Sequence, residues 1–142
     1  MWTSTPFIAE TIAKIRAVLD ARGIKYKIGI SSQGEYADVA ELDVPGAEMF
    51  LNSDPIWNMQ KAIESDILVM AKSTFSYVSA VISDGVKVYE RCGYPPLSDW
   101  VIRGPNGEFD SAAFEHQLQR RIESKEARKR PDGVTDERVT EV

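Results

Sequence analysis

The residues with the clearest chemistry form the run Lys72-Ser73-Thr74-Phe75-Ser76, which directly follows an apolar stretch. Three hydroxyl groups and one ammonium group occur together here, and the pattern of residues 75–82 predicts a helix starting within the run. A helix N-terminus presents unpaired backbone N–H groups and roughly +0.5 of an elementary charge. The run therefore predicts an anion site suited to a diphosphate, without a glycine-rich cradle. The alternative is that Ser73 or Thr74 only caps the helix while Lys72 points to solvent.

Two more polar segments follow predicted strands. Gln33 and Glu35 come after the first strand, and Asn52 and Asp54 come after the second. Ligands of open parallel sheets bind outside the carboxyl ends of the strands, where these segments are expected to meet. The Asp54 carboxylate suits the two N–H donors of a guanine, Asn52 suits the nucleoside, and Gln33 and Glu35 suit ribose or sugar hydroxyls. The alternatives are a helix N-cap for Asp54, which precedes Pro55, and turn roles for the other three.

The elements that must position these residues alternate along the chain. Helices are predicted from the Thr5-Pro6 start to a stop at Gly23, and at residues 36–42, 55–63, 75–82 and 111–122. Strands are predicted at residues 26–31, 48–51, 67–71 and 86–89. Such alternation indicates βαβ units with a parallel sheet. The predicted fold class is α/β, a Rossmann-like three-layer sandwich.

The amino-acid composition near the C-terminus predicts where the domain ends. Residues 1–130 are predicted to form one Rossmann-like domain, which the family resemblance described below implies to be nucleotide-sugar-binding, and residues 131–142 a charged, disordered tail. Within the domain, the apolar residues of the first and last helices recur at the spacing of one helical face, which is expected to be the inward one: Ile8, Ile12, Ile15 and Leu19 in the first helix, and Phe114, Leu118 and Ile122 in the last. The fourth helix is expected to turn Val78, Val81 and Ile82 inward.

Composition excludes several classes of protein. A net charge of −5 argues against a nucleic-acid partner. One cysteine and one histidine exclude an internal disulfide and a Cys-rich or multi-His metal site, so no metal is predicted. No apolar run reaches the ~18 residues of a membrane span. Glu10 and Lys14 interrupt any secretory signal, so a cytoplasmic location is expected.

Catalytic residues are not assigned by the sequence. No Ser/His/acid arrangement is recognisable, and Cys92 has no neighbouring base. Neither a Walker-type loop nor a Gly-x-Gly-x-x-Gly fingerprint is present, so a P-loop NTPase and a standard NAD enzyme are disfavoured.

Residues 66–78 (Asp-Ile-Leu-Val-Met-Ala-Lys-Ser-Thr-Phe-Ser-Tyr-Val) resemble the last donor-site motif of fucosyltransferase-like glycosyltransferases of the GT-B type. Residues 27–34, 50–55 and 95–101 are similar to other segments of that family, in the same order. The resemblance covers roughly residues 24–118. It implies one lobe of a GT-B enzyme, its C-terminal, donor-binding half.

The resemblance also implies roles and partners. Ser73, Thr74 and Phe75 would contact the diphosphate and base, Lys72 would be a neighbouring cation, and Asp54 would contact guanine. The donor would be GDP-fucose or a similar GDP-sugar, the acceptor an unknown glycan, and the transfer independent of metal and of other cofactors.

Departures from the family weaken the enzyme interpretation. Residues 1–30 contain no match to its His-x-Arg-Arg motif, and Arg91-Cys92-Gly93-Tyr94 stands where related sequences carry an aromatic-His pair. We therefore expect a glycosyltransferase-like domain that is incomplete by itself. A missing N-terminal lobe would leave apolar surface near Trp57 or Trp100 open to self-association.

Two alternatives remain open. The first is a non-catalytic remnant acting as a nucleotide-binding or protein-interaction module. The second is a flavodoxin-like or receiver-like domain, which ranks last because Ser31, Ser32 and Gln33 stand where a receiver needs acidic residues.

Overall fold

The structure, a computed structural model, describes residues 5–32, 35–70, 74–91, 94–104, 108–127 and 137–141. Its helices are α1 (Thr5–Ala21), α2 (Tyr36–Val39), α3 (Pro55–Glu64), α4 (Thr74–Ile82) and α5 (Ser111–Ala127), with a 3-10 turn at Ala40–Leu42. Its strands are β1 (Tyr26–Ser32), β2 (Ala47–Leu51), β3 (Ile67–Val69), β4 (Val86–Tyr89), β5 (Val101–Ile102) and β6 (Glu137–Glu141).

All six strands belong to one parallel sheet, in the order β2-β1-β6-β3-β4-β5. Helices lie between β1, β2, β3 and β4 as the sequence predicts, because parallel strands need crossover connections, whereas β4 is followed directly by β5. The architecture is mixed α/β and compatible with a Rossmann-like layout.

Two apolar clusters cover the two faces of the sheet. The larger joins α1 and α5 to one face, through Ile8, Ile12, Ile15, Leu19, Ile28, Ile30, Ile67, Val69, Val88, Phe114 and Leu118. The smaller lies on the other face, with Ala62 of α3, Ala80 of α4, Leu68, Met70, Tyr89 and Trp100. The expected inward faces of α1 and α5 are confirmed, and Gly23 ends α1 with a φ of +68°.

The inward face of α4 differs from the prediction. Val78, Val81 and Ile82 are exposed, whereas Ser76, Ser79, Ala80 and Ser83 are buried. Small side chains let α4 approach its neighbours closely, and α4 packs against α3. The apolar pattern alone therefore pointed to the wrong side of this helix.

The C-terminal segment also differs from the prediction. Residues 137–141, expected to be part of a disordered tail, form β6 and pair with both β1 and β3. Backbone hydrogen bonding to two strands offsets the low hydrophobicity of the segment. Trp100, expected near an open apolar surface, is 6% exposed, while Trp57 is half-buried.

Candidate functional site

The polar segments predicted to form a site follow strands that end at the same edge of the sheet, which we call the carboxyl edge. Because all strand pairs are parallel, β1, β2, β3 and β4 all end there. Asn52 connects two of these ends, since its backbone N–H donates to the Ser32 carbonyl at 2.8 Å.

Four of the predicted diphosphate residues yield little side-chain geometry. Lys72 and Ser73 lie outside the described residues, and Thr74 and Phe75 lie in the first turn of α4, where only the backbone is described. Gln33, predicted at the nucleoside, also lies outside the described residues. Along the chain, α4 is the element that follows the carboxyl end of β3.

Ser76, the fifth predicted diphosphate residue, is fully buried on the inward face of α4. Its hydroxyl is shielded from solvent, so its position fits packing between the helix and the rest of the fold. The spacing in the sequence did not distinguish it from Ser73 and Thr74, because the helix rotation was predicted incorrectly.

Asp54 caps α3, as one of the two alternatives predicted. Its Oδ2 accepts a hydrogen bond from the backbone N–H of Trp57 at 3.2 Å, and Pro55 follows at the first helical position. The residue is exposed, and this cap uses one of its two carboxylate oxygens. A second role at the carboxyl edge is therefore sterically open.

Asn52 is the one non-glycine residue with positive φ, 54°, in the described ranges. Asparagine tolerates this left-handed conformation better than most residues. Its turn role is thus clear from the backbone, and its exposed side chain lies two positions before Asp54.

Arg103 is a candidate site residue that the sequence analysis did not single out. It follows β5, is 2% exposed, and its backbone N–H donates to the Tyr89 carbonyl at 2.8 Å. Its guanidinium lies 3.4 Å from the Met70 carbonyl, 3.4 Å from Thr11 Oγ1 and 3.4 Å from Glu90 Oε2. Met70 is the residue after β3, so a buried positive charge lies at the carboxyl end of this strand.

The chemistry of Arg103 suits an anion. A guanidinium presents a planar fork of donors that matches phosphate oxygens, and it remains charged at any physiological pH. The nearby signal in the sequence was the short apolar run Trp100-Val101-Ile102, which precedes Arg103 and forms β5. Two residues are too few for a periodicity argument to identify a strand.

Ser31 adds a second buried polar group near the end of β1. It is 8% exposed, and its Oγ has no hydrogen-bond partner among the described residues. Buried polar groups of this kind are uncommon because leaving them unsatisfied costs free energy. The carboxyl edge therefore holds both a buried cation and an unsatisfied hydroxyl.

An aromatic cluster attaches the segment before β5 to α4. Tyr77, Tyr89, Tyr94 and Trp100 pack with ring centroids 5.0–6.3 Å apart. The Tyr77 hydroxyl also donates to the Pro95 carbonyl at 2.7 Å. The segment around Pro95 is thus attached to α4 through Tyr77, near the start of the helix.

The opposite edge of the sheet, the amino edge, is held by a closed ion cluster. Asp66, at the start of β3, accepts from Arg121 at 3.0 and 3.1 Å and from Lys125 at 3.0 Å. Both cations belong to α5, so the cluster fastens this helix to the sheet. Residues 66–78, which resemble the donor-site motif, therefore begin with a carboxylate that has a structural role. This carboxylate lies at the amino edge, and the candidate site lies at the carboxyl edge.

Lys87 is a second buried charge near the amino edge. It is 6% exposed, and its Nζ donates to the carbonyls of Ser83 at 2.5 Å and Gly85 at 2.8 Å. Burial lowers the pKa of Lys87, and the negative charges of Asp99 and Asp84 oppose that shift. A cavity of about 270 Å³ lies beside it, with acidic and basic side chains both in its lining.

Within the described ranges, no three His, Cys, Asp or Glu side chains are grouped so that they would hold a metal ion. None of the helices in that part of the chain is long and apolar enough to cross a membrane.

Comparison of the chain with known protein families, curated proteins and solved structures finds no match.

Proposed function

We propose that this chain is a glycosyltransferase-like domain, one lobe of a GT-B enzyme, that binds the nucleotide part of a GDP-sugar at the carboxyl edge. The observation that carries the proposal is the buried guanidinium of Arg103, 3.4 Å from the carbonyl of Met70. Only three residues separate Met70 from the start of α4. The diphosphate would lie between the helix N-terminus and this cation.

The electrostatics favour an anion at this point. The N-terminus of α4 contributes partial positive charge, worth about 0.3–1 kcal/mol for a nearby anion and more where partly buried. Arg103 contributes a full charge that is already ordered, so its side-chain entropy is not lost again on binding. Lys72 would add a third positive element from the connecting segment.

The nucleoside end of the ligand would lie toward α3. The exposed carboxylate of Asp54 would accept hydrogen bonds from guanine while one oxygen keeps its cap bond to Trp57. Asn52, held in its turn by the bond to Ser32, would lie beside the ribose. Cap and ligand contact use different oxygens, so both can be present together.

Transfer of the sugar to a glycan acceptor would require more than donor binding. The departing diphosphate needs charge stabilisation in the transition state, where loss of one preorganised donor costs about 2.7–4 kcal/mol. Arg103 is the buried cation available for that purpose at the carboxyl edge. Its contact with Glu90 favours a second candidate, a nucleotide-binding module without transferase activity, in which this pair stays intact.

Titration with GDP, followed by amide chemical shifts, tests the binding claim. We expect a Kd in the high micromolar to millimolar range, roughly −4 to −6 kcal/mol, with the largest shifts at Ser76, Tyr77 and Arg103. Guanosine should bind at least about tenfold more weakly, since it lacks the diphosphate. Unchanged amides at these positions in millimolar GDP would refute a donor site here.

Two substitutions of Asp54 separate its two roles. Asn at this position retains an N-cap acceptor but replaces the second oxygen with a donor, whereas Ala removes both. We expect Asp54→Asn to leave the unfolding free energy nearly unchanged while weakening GDP several-fold. Equal GDP affinity in wild type and Asp54→Asn would show that Asp54 is only a cap.

A further inference from the structure

The sheet consists of two parts that do not pair with each other. Strands β2 and β1 form one ladder, β3, β4 and β5 form another, and β6 alone lies between β1 and β3. We call the space between β1 and β3 the central slot. The strand in this slot makes the sheet continuous. It therefore also fixes the distance between the ends of β1 and β3 at the carboxyl edge.

The strands on either side of the central slot carry buried aliphatic side chains. Ile28 and Ile30 of β1, and Ile67 and Val69 of β3, are each 0–2% exposed and belong to the same apolar cluster. Parallel strands that are covered on both faces are usually near-continuous runs of aliphatic residues.

The sequence of β6 fits this position poorly. It reads Glu-Arg-Val-Thr-Glu, with one aliphatic residue. The register aligns Val139 with Ile28 and Ile67, which suits the slot, but it aligns Glu141 with Ile30 and Val69. Acidic residues are unusual in central parallel strands, which are typically aliphatic. The slot is therefore better matched to a more apolar strand than to the one it holds.

The strand order shows what kind of strand belongs there. Doubly wound sheets have the order 3-2-1-4-5-6, and ligands bind at the switch point beside strand 1. In this sheet β2 and β1 take places 3 and 2, while β3, β4 and β5 take places 4, 5 and 6. Place 1, normally the first strand of the fold, is taken by β6, the last one.

We infer that the central slot is a docking site for a parallel, aliphatic-rich strand of another polypeptide, and that β6 is its replaceable occupant in the isolated chain. The incoming strand adds by backbone pairing on both sides, as in β-strand addition. It carries aliphatic residues at the positions now held by Val139 and Glu141. The inference rests on topology and register, and it holds whether or not GDP binds.

Docking would also alter the candidate site. The register pairs the end of β6 with Val69, one residue before Met70. A docked strand running in the same direction ends at the carboxyl edge, so residues following it reach the region of Met70 and Arg103. The partner would thus supply side chains to the switch point.

The test uses the full chain and a fluorescently labelled peptide, Lys-Lys-Val-Arg-Val-Thr-Ile-Lys-Lys, with a scrambled peptide of identical composition as control. Three variants change how strongly β6 competes with the peptide for the central slot. Val139→Pro weakens β6, because proline removes a donor from the ladder. Glu141→Ile strengthens it, and Glu137→Ile is the matched control, since Glu137 pairs only with Tyr26 of β1.

Peptide binding is measured by fluorescence anisotropy at about 0.15 M salt, where charges separated by more than about 8 Å are screened. We expect the peptide to bind Val139→Pro at least about tenfold more tightly than Glu141→Ile, with wild type and Glu137→Ile between them. Amides of Ile28, Ile30 and Ile67 should become protected from hydrogen exchange in the Val139→Pro complex.

Several outcomes would overturn the inference. If Val139→Pro unfolds by circular dichroism, β6 is an integral strand and not a replaceable one. If all four proteins bind the peptide equally, or bind the scrambled peptide as well, the peptide binds elsewhere. If the chain instead forms dimers that vanish in Val139→Pro, a second copy fills the slot and the proposed partner is wrong.

Discussion

The two ends of strand β3 hold buried charges in very different ways. At the amino edge, Asp66 is contacted by two cations at 3.0–3.1 Å. At the carboxyl edge, the contacts of Arg103 with Thr11, Met70 and Glu90 are each 3.4 Å long. Charge-assisted hydrogen bonds prefer about 2.7–2.9 Å. The contacts of Asp66 are thus nearer to the preferred length than these three contacts of Arg103.

Asp66→Asn should give the largest loss of stability. The substitution keeps the shape of the side chain but leaves Arg121 and Lys125, whose side chains are 14% and 24% exposed, without their counter-charge. Breaking a fully buried pair costs about 3–5 kcal/mol, and partial exposure reduces the expected loss to about 2–4 kcal/mol. Urea unfolding measures it, with the exposed Glu126→Gln on the same helix as control. A loss equal to that of the control would remove the distinction between the two edges.

Gly85→Ala should be the next largest effect. A Cβ at this position would lie 2.4 Å from the Ser65 carbonyl oxygen and 2.7 Å from that of Asp66, and backbone cannot move aside cheaply. We expect a loss of about 1–3 kcal/mol. Gly104→Ala at the carboxyl edge is the matched control, because its nearest contact is the flexible Glu108 side chain at 2.8 Å. Equal losses in urea unfolding would show that the two edges are equally rigid.

Arg103→Met should separate stability from binding. Met retains part of the length and volume of the side chain, and the substitution removes a partner of the partly buried Glu90, so we expect a stability loss of about 1–3 kcal/mol. If the proposed function is correct, GDP affinity should fall at least about tenfold. Arg120→Met, an exposed arginine on α5, is the control for a general loss of positive charge. Unchanged GDP affinity in Arg103→Met would leave Arg103 with a structural role only.

Lys87 gives the smallest expected effect, visible as a pH dependence. Burial lowers its pKa in the folded state below the ordinary value of 10.5, so the unfolded chain binds more protons between the two values. Stability should therefore rise with pH from the lowered pKa up to about 10.5. Comparing wild type with Lys87→Met across this range isolates the contribution. A difference that stays constant with pH would mean that Lys87 titrates normally.

Local signals in the sequence were sufficient for most elements and for one site residue. Asp54-Pro55 predicted the start of α3, and the spacing of the isoleucines in α1 predicted its buried face, because caps and periodicity act within a few residues. The rotation of α4 was not predictable in this way. Its buried face consists of serine and alanine, chosen by close packing with α3 and the sheet rather than by hydrophobicity.

The site itself depended on tertiary structure that the sequence did not reveal. Arg103 lies after a strand of two residues, and its contacts with Thr11 and Met70 join segments far apart in the chain. The place of β6 in the sheet is likewise decided by pairing with β1 and β3, since its own composition is typical of a solvated segment.

The position of β6 also has a kinetic consequence. Its partners on one side are residues 26–30, so the pairing closes a loop that contains most of the chain. Contacts between such distant residues are slow to form, because the entropy of closing the loop is lost before the contacts stabilise the chain. We therefore expect the two partial sheets to form early and their union to limit the folding rate, leaving two aliphatic strand edges exposed during that interval.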